Sequence, residues 1–155
     1  MPRSTGGSGT RKPVRVRTAG LEDVEKVVGL LEEWSPCPEG GDRRKTAVRA
    51  IEDCRHEILV AEVDGRVVGL LEWVMFHDLL EGSDTATILS LYVAESHRRM
   101  GVGEALVKET VRRAKERGAS EIHVCAERAN KPALSLYRKC GFGREYVCLE
   151  MELRP

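Results

Sequence analysis

The stretch Arg98-Arg99-Met100-Gly101-Val102-Gly103 decides the fold of this chain. It follows an apolar run, residues 88–93, and precedes an amphipathic segment, residues 104–117. A strand, a glycine-containing loop and a helix in this order bring free backbone N–H groups together with the positive end of a helix dipole. Glycines let a phosphate approach the backbone, and arginines add charged donors. This stretch with Glu104, the glycine loop, therefore predicts a diphosphate-binding site.

Two common phosphate-binding motifs differ from the glycine loop. A P-loop has Lys and then Ser or Thr directly after its second glycine, and no such pair follows Gly103. The dinucleotide-binding fingerprint has a small residue three positions after its second glycine, where this chain has Leu106. Taken alone, the stretch is also compatible with a tight strand-to-helix turn that binds nothing.

The composition of the 155 residues excludes several classes of protein. The 25 Lys and Arg residues balance 25 Asp and Glu residues, which argues against a general binder of nucleic acid or of anionic membranes. No apolar run approaches the roughly 20 residues of a membrane-spanning helix, and no signal-peptide pattern is visible. The five cysteines are irregularly spaced and lack a Cys-x-x-Cys pair. They predict reduced thiols, no metal site and a cytoplasmic protein.

The hydrophobic pattern predicts a mobile tail, residues 1–12, and a single domain, residues 13–155. Runs typical of strands alternate with helical spacing, and Asp64-Gly65 is a strong hairpin signal. The strand–helix–strand order around the glycine loop predicts a parallel pair with a right-handed crossover. Helices are predicted over residues 21–34, 43–54, 104–117 and 130–140, and strands over residues 14–17, 56–63, 66–76, 88–93, 122–126 and 147–153.

Four pieces of the sequence together resemble the GNAT superfamily of N-acetyltransferases. They are Leu91-Tyr92-Val93, the pattern Arg98-x-x-Gly101-x-Gly103, Asn130, and the run from Ala133 to Phe142. The pieces come in the order of that family, and the order of the predicted elements agrees with it over residues 14–153. The resemblance implies an α/β fold with a central mixed, mostly antiparallel sheet of six to seven strands. It also implies a splayed parallel pair in that sheet and about four flanking helices.

The resemblance further implies an acetyl-CoA-dependent N-acetyltransferase. The acetyl group would pass from acetyl-CoA directly to a primary amine, with no covalent enzyme intermediate and no metal. The glycine loop would bind the CoA diphosphate through its backbone, and the preceding strand would pair with the pantetheine arm. Asn130 would contact the pantetheine or the thiol end. The other implied cofactor-binding residues are Leu91, Tyr92, Val93, Arg98, Arg99, Met100, Gly101, Val102, Gly103, Glu104 and Tyr137.

Tyr137 would also donate a proton to the leaving thiolate in the implied reaction. Because a tyrosine with a pKa near 10 is a weaker acid than a thiol with a pKa near 8.5, Tyr137 works best as a positioned hydrogen-bond donor. Without the resemblance, Tyr137 is also compatible with a core tyrosine, Asn130 with a helix N-cap and Arg98 with a solvated surface charge.

The implied reaction needs a general base near the predicted site. Only a neutral amine attacks a thioester, so a base or a water leading to one must take the proton. Many GNAT proteins carry an acidic residue just before Leu-Tyr-Val, where this chain has Ser90. Glu72 is the first candidate, because a carboxylate in an apolar strand is paired, protonated or functional. Alternatively, Glu72 faces outward on a partly solvated sheet and has no catalytic role. Ser90 could order a water that takes the proton, and Glu81 is a weaker candidate for the base.

The amine acceptor is predicted from two loops, residues 35–42 and 77–84, which should flank its entrance. The second loop contains three acidic residues and no Lys or Arg, which favours a small cationic amine. A protein N-terminus or a lysine side chain is the alternative acceptor, and a non-catalytic acyl-CoA-binding module is the alternative of another class. No nucleic acid or membrane partner is expected, and only the habit of the family suggests a homodimer.

Overall fold

The computed structural model describes residues 10–154, so most of the predicted tail, residues 1–12, lies outside the described residues. Two 3-10 turns, Leu21–Asp23 and Glu95–His97, accompany the regular elements. Among the described residues, no helix combines the length and the apolar character that crossing a bilayer requires. The helices are α1 (Val24–Trp34), α2 (Arg43–Glu52), α3 (Val102–Glu116) and α4 (Lys131–Lys139), and the strands are β1 (Arg15–Thr18), β2 (His56–Val63), β3 (Arg66–Asp78), β4 (Ser83–Val93) and β5 (Ala119–Val124).

The strands form one mixed sheet in the order β1-β2-β3-β4-β5. The first four strands are antiparallel neighbours, and β5 runs parallel to β4, as the crossover through α3 requires. Asp64 and Gly65 have φ angles of 51° and 74°, which fit the two-residue hairpin turn that their sequence predicts. The protein therefore has a mixed α/β fold, as the resemblance implies.

Helices cover both faces of the sheet. On one face, Leu71 and Trp73 of β3 pack with Leu106 of α3, and α4 joins them. On the other face, Leu70 of β3 packs with Val27 of α1, and α2 joins them. A strand that is buried on both faces needs apolar residues at successive positions. This requirement explains the almost continuous apolar run of β3.

A β-bulge interrupts β4 beside the middle of β3. Glu72 pairs with Ser90, whereas the next residue of β3, Trp73, pairs with Ile88. Leu89 is therefore an extra residue in β4. Bulges bend a strand and re-aim the side chains around them, and they are common next to active sites.

The prediction of six to seven strands is wrong, because the described chain has five. The strand predicted over residues 147–153 does not form, and residues 143–154 make no backbone hydrogen bond among the described residues. Alternation supplies a strand with an apolar face, but a strand also needs a partner edge. This segment has none within the described chain, and its apolar side chains are 81–89% exposed: Val147, Leu149, Met151 and Leu153.

A buried ion pair joins β1 to the start of α1. The carboxylate of Asp23 has no solvent exposure and accepts hydrogen bonds from Arg17 Nη1 and Nη2 at 2.7 and 2.9 Å. The backbone N–H of Gly20 donates a third bond at 2.9 Å. These bonds, above all those from Arg17, outweigh burial and lower the pKa of Asp23 to about 2. The pair therefore stabilises the folded state while Asp23 is ionised.

We expect Asp23→Ala to lower the free energy of unfolding by about 3 kcal/mol at neutral pH, because it removes two of the bonds of a partly buried guanidinium. As a charged partner, Arg17 then keeps only Glu62, which accepts from its Nε at 2.9 Å. Since the folded pKa of Asp23 is depressed, its contribution is present above pH 4 and is lost as the pH falls toward 2. Urea unfolding of both proteins across this range measures the difference. Glu25→Ala is the control, because Glu25 and its partner Arg44 are each about two-thirds exposed. Equal effects of the two substitutions would contradict the prediction.

Candidate active site

The parallel pairing of β4 with β5 ends half-way along β4, where β5 itself ends. Their hydrogen-bonded register joins Asp84–Ile88 to Ala119–Val124 and ends there, while β4 continues to Val93 paired with β3 alone. On the side of β5, the backbone of residues 89–93 has no strand partner among the described residues. Free N–H and C=O groups along a strand can pair with an amide-rich chain such as pantetheine. An open backbone edge therefore lies where the resemblance implies a splayed pair, and the splay itself stays a prediction.

The glycine loop leads into α3 with its first-turn amides unpaired. Gly101 has a φ angle of 81°, in the left-handed region that favours glycine, and it is the N-cap of α3. Glycine has no side chain to cap the helix, and no other side chain caps it among the described residues. The N–H groups of Val102, Gly103 and Glu104 therefore point out of the helix start, where an anion is stabilised.

Gly103 lies at a close contact between α3 and α4. A Cβ atom at this position would lie 3.1 Å from Cδ2 of Leu136 in α4. Gly69 of β3 makes similar room, because a Cβ there would lie 3.1 Å from Cγ1 of Val102 and 3.2 Å from the carbonyl oxygen of Tyr92. Gly103 therefore lets α4 sit close to α3, and Gly69 lets α3 sit close to β3.

Arg98 is held against β4. Its Nε donates to the carbonyl oxygen of Val93 at 3.1 Å, and its guanidinium lies 5.6 Å from the ring centroid of Tyr92. These contacts leave the two Nη groups without a hydrogen-bond partner within residues 10–154. A second basic residue near the loop is Arg11, whose Nη1 would lie 3.6 Å from a Cβ at Gly101. Sequence reasoning assigned Arg11 to the tail and gave it no role.

The negative charge in the first turn of α3 is neutralised. Glu104 accepts from Lys108 and from Lys139 of α4, each at 2.7 Å, and these bonds lower its pKa to about 2. A permanently ionised Glu104 would repel a diphosphate, but two adjacent ammonium groups offset its charge. The helix start therefore keeps the positive character that an anion needs.

A cleft of about 430 Å³ opens on the face covered by α1 and α2, and we name this candidate site the acceptor cleft. Its walls are mostly apolar, and Glu72 is its single carboxylate among the described residues. Arg43 also lines it, but its guanidinium already donates to Glu32 at 2.9 Å and to the carbonyl of Ser35 at 2.6 Å. The lining residues are Val27, Leu31, Trp34, Ser35, Arg43, Thr46, Ala47, Ala50, Ile58, Leu70, Glu72, Leu89 and Ser90.

Glu72 is held by two hydrogen bonds at the base of this cleft. Ser90 Oγ donates to Oε2 at 2.6 Å, and His56 Nε2 lies 2.8 Å from Oε1. An ionised carboxylate only accepts, so His56 carries a proton on Nε2. Partial burial by itself would raise the pKa of Glu72, but the bonds from His56 and Ser90 outweigh it and place this pKa below its ordinary value. Glu72 is therefore a fixed anion at neutral pH.

Tyr137 lies on the other face of the sheet. Its side chain is buried in the core formed with α3, and its ring contacts Phe142 edge-on at 5.7 Å between centroids. Its hydroxyl makes no hydrogen bond within residues 10–154, and burial raises the pKa of Tyr137, which keeps the hydroxyl protonated. The structure thus brings Glu72 and Ser90 together and sets Tyr137 apart from them, across the sheet.

Asn130 is an N-cap, as one of its two predicted roles requires. Its Oδ1 accepts from the backbone N–H of Ala133 at 3.2 Å and so caps α4. This bond leaves its amide N–H₂ group with both protons for another partner.

Residues 77–84, which are predicted to flank the acceptor, do not line this cleft. Ser35 lines the acceptor cleft, but no residue of 77–84 does. Beyond Glu72, β3 continues to Asp78, and β4 begins at Ser83. The turn between these two strands, which contains Glu81, therefore lies roughly 20 Å from Glu72 along the strands. The acidic residues of this turn therefore lie away from the acceptor cleft.

Comparison with known proteins decides the family. Residues 27–142 match the acetyltransferase (GNAT) family. This chain belongs to the GNAT family. An N-alpha-acetyltransferase of Sulfurisphaera tokodaii is 32% identical over 143 residues, which cover 84% of this chain and 81% of that protein.

Solved GNAT-like structures agree with the fold of this acetyltransferase. A transcriptional regulator from Bacillus halodurans superposes with a TM-score of 0.80 at 26% identity, over 91% of this chain and 100% of that one. AAC(6')-Iy, solved with a CoA-containing bisubstrate analog, superposes with a TM-score of 0.79 at 18% identity, over 92% and 99% of the two chains. As a GNAT protein, the chain is an acetyl-CoA-dependent N-acetyltransferase, as its sequence predicts.

Proposed function

We propose that this GNAT protein acetylates a single primary amine attached to an apolar group, best the α-amine of a peptide N-terminus. The observation that carries the proposal is the acceptor cleft, which has apolar walls and one carboxylate, Glu72, among the described residues. Such a cleft suits one ammonium group on an apolar body. A relative of 32% identity is an N-alpha-acetyltransferase, which agrees with this choice.

Acetyl-CoA would bind across the splayed strands. The first-turn amides of α3 would hold its diphosphate, with Arg98 and Arg11 adding charge. The pantetheine arm would pair with the free backbone of residues 89–93. This position would set the thioester between Glu72 on one face and Tyr137 on the other. Backbone N–H groups near Tyr92 would then stabilise the oxyanion of the tetrahedral intermediate.

The state of Glu72 favours an α-amine over a lysine. A carboxylate with a lowered pKa is a weak base, so it serves best an acceptor that is already partly neutral. An α-amine with a pKa of about 7.8 is neutral in roughly one molecule in ten at pH 7, whereas a lysine with a pKa near 10.4 is neutral in fewer than about one in a thousand. Glu72 would attract the amine and take its proton as the N–C bond forms.

Departure of the thiolate completes the transfer. The C–S bond breaks, and the hydroxyl of Tyr137 donates a hydrogen bond to the departing sulfur. Because burial raises the pKa of Tyr137 above that of a thiol, this hydrogen bond stabilises the thiolate more than it protonates it.

A multiply charged acceptor fits the cleft less well. A polyamine or an amino sugar carries several ammonium groups, and the acidic residues 77–84 that favoured such an acceptor do not line the cleft. One carboxylate with Arg43 nearby does not balance several positive charges.

Release of CoA thiol from acetyl-CoA tests the proposal across a panel of acceptors. The panel pairs a peptide with a free apolar N-terminus with the same peptide N-terminally blocked and carrying an internal lysine. Spermidine and an aminoglycoside represent multiply charged amines, and benzylamine represents a small apolar amine. We expect the free peptide to give the highest kcat/KM. A preference for spermidine, the aminoglycoside or the blocked peptide would overturn the proposed acceptor.

We expect Tyr137→Phe to lower kcat by roughly 10- to 100-fold, because it removes one hydrogen bond to a charged leaving group. The affinity for CoA should stay unchanged, since the ring and its contact with Phe142 remain. Steady-state kinetics and calorimetry separate these effects. Tyr146→Phe is the matched control, because Tyr146 is 74% exposed. Unchanged kcat in Tyr137→Phe would leave Tyr137 as a core residue only.

A further inference from the structure

Two thiols that the proposed acetyl transfer does not use lie next to each other at the end of the edge strand β5. Cys125 directly follows β5, and Cys148 belongs to the C-terminal segment, residues 143–154. Both cysteines are exposed. A hydrogen bond to the thiol of Cys148, together with partial burial, raises the pKa of Cys125.

Two contacts that precede this pair along the C-terminal segment explain why the thiols meet. Arg144 Nη2 lies 2.6 Å from a carboxylate oxygen of Glu121, and the rings of Tyr146 and His123 have their centroids 6.5 Å apart. From the first contact to the second, both partners advance by two residues. The segment therefore runs in the direction of β5, with alternate side chains facing each other. The next step in this register is the pair of cysteines.

We propose that Cys125 and Cys148 form a modification site, at which a peroxide closes a disulfide within one chain. Bridged cysteines have Cα atoms about 4.4 to 6.8 Å apart, a range that includes residues facing each other on neighbouring extended segments. The bond closes a covalent loop over residues 126–147, which contains the whole of α4. The loop thus includes Tyr137, so oxidation ties the helix that carries this residue to the end of β5.

The oxidation balances with one molecule of peroxide. Because its raised pKa keeps Cys125 protonated, the first attack falls to Cys148. Its sulfur forms an S–O bond as the O–O bond breaks, and the released hydroxide leaves as water with the thiol proton. The sulfur of Cys125 then attacks that of Cys148, the S–O bond breaks, and a second water leaves. Two thiols have lost two electrons and two protons, and the peroxide has been reduced to two waters.

The exposure of both sulfurs makes this site reversible. A small thiol such as glutathione can reach an exposed disulfide and reduce it by exchange. In a reducing compartment the resting state is therefore the pair of free thiols, which is the state predicted from the sequence. The disulfide forms when peroxide is present and is removed when the reductant prevails.

Peptide mapping of the full chain tests the proposal, because trypsin separates the two cysteines. Cys125 lies in the peptide 118–128 and Cys148 in the peptide 145–155, and neither peptide contains another cysteine. The chain is treated with hydrogen peroxide, its free thiols are alkylated, and it is digested without reductant. We expect these two peptides to be linked, in at least about tenfold excess over any other linked pair. Dithiothreitol should release both.

Matched variants and a denatured sample show whether the fold brings the thiols together. Cys125→Ser and Cys148→Ser should each abolish the linked pair, whereas Cys54→Ser, which removes another exposed thiol, should leave its yield unchanged. In concentrated urea the yield should fall at least about fivefold, because the ends of an unfolded loop rarely meet. No linked pair in the folded protein, an equal yield in urea, or a bond between two chains on a non-reducing gel would overturn the proposal.

Discussion

Glu72→Gln is expected to lower kcat by roughly 100- to 1,000-fold, the largest effect on turnover that a single side chain of the acceptor cleft should have. Gln has almost the same size as Glu and can still accept a hydrogen bond from His56 or Ser90. It removes the negative charge that would attract the ammonium group and the oxygen that would take its proton. The affinity for CoA should not change, because Glu72 lies on the face away from Tyr137.

The pH dependence separates the role of Glu72 from that of the acceptor. Since the pKa of Glu72 is lowered, it stays ionised above about pH 4.5. Between pH 7 and pH 5, activity of the wild type should therefore fall about tenfold per unit with the neutral fraction of the amine alone. Glu72→Gln should show the same slope at a lower level.

Glu33→Gln is the matched control for Glu72→Gln. Glu33 accepts only a long bond of 3.5 Å from the hydroxyl of Tyr92, and it does not line the acceptor cleft. The kcat of the Glu33→Gln variant should differ from that of the wild type by less than about threefold. Equal losses in the two variants would mean that general negative charge near the cleft matters, and would remove Glu72 as the base.

Local chemistry is sufficient to predict most of the fold. Asp64-Gly65 needs positive φ angles at both positions, and these residues supply them, so the hairpin could be predicted from two residues. The glycine loop follows from the same kind of rule, because Gly101 permits a left-handed turn directly before a helix. Features decided by a few neighbouring residues are visible in the sequence.

The sequence does not predict the contact between His56 and Glu72, because this contact depends on one extra residue in β3, Val68. A hairpin that closes at Asp64-Gly65 without irregularity would pair His56 with Trp73 and put it on the opposite face from Glu72. The pairing of β2 with β3 instead shifts by one residue between Ala61 and Glu62. Because a one-residue shift moves every later side chain to the other face, His56 comes to lie beside Glu72. No sequence signal marks this bulge.

Features that depend on distant partners were also beyond the sequence. The alternation of residues 147–153 gives this segment the local tendency of a strand, but the strand does not form, because no edge pairs with it among the described residues. Residues 77–84 are polar, as a loop near a cationic ligand would be, but the lengths of β3 and β4 carry the turn away from the acceptor cleft. Periodicity describes one face of an element, and the element opposite it is set by the whole fold.

Gly101→Asp is expected to raise the Kd for CoA at least 100-fold while the protein stays folded. Two unit charges about 5 Å apart interact by about 3 kcal/mol at an effective dielectric constant of 20, so a carboxylate at the start of α3 would repel the diphosphate strongly. Asp tolerates the left-handed conformation of Gly101 better than most residues do. The helix start also stabilises a negative charge, so folding should not suffer.

Gly101→Asn separates charge from strain, because Asn has nearly the same shape and the same tolerance of the left-handed region. We expect Gly101→Asn to raise the Kd for CoA less than tenfold, and thermal unfolding of both variants to stay within a few degrees of the wild type. Calorimetry with CoA at two salt concentrations gives the readout, and the gap between Asp and Asn should narrow at high salt. Equal losses in both variants would assign the effect to the backbone. Unchanged binding in both would mean that the diphosphate does not lie at this helix start, and the placement of acetyl-CoA across the splayed strands would then be wrong.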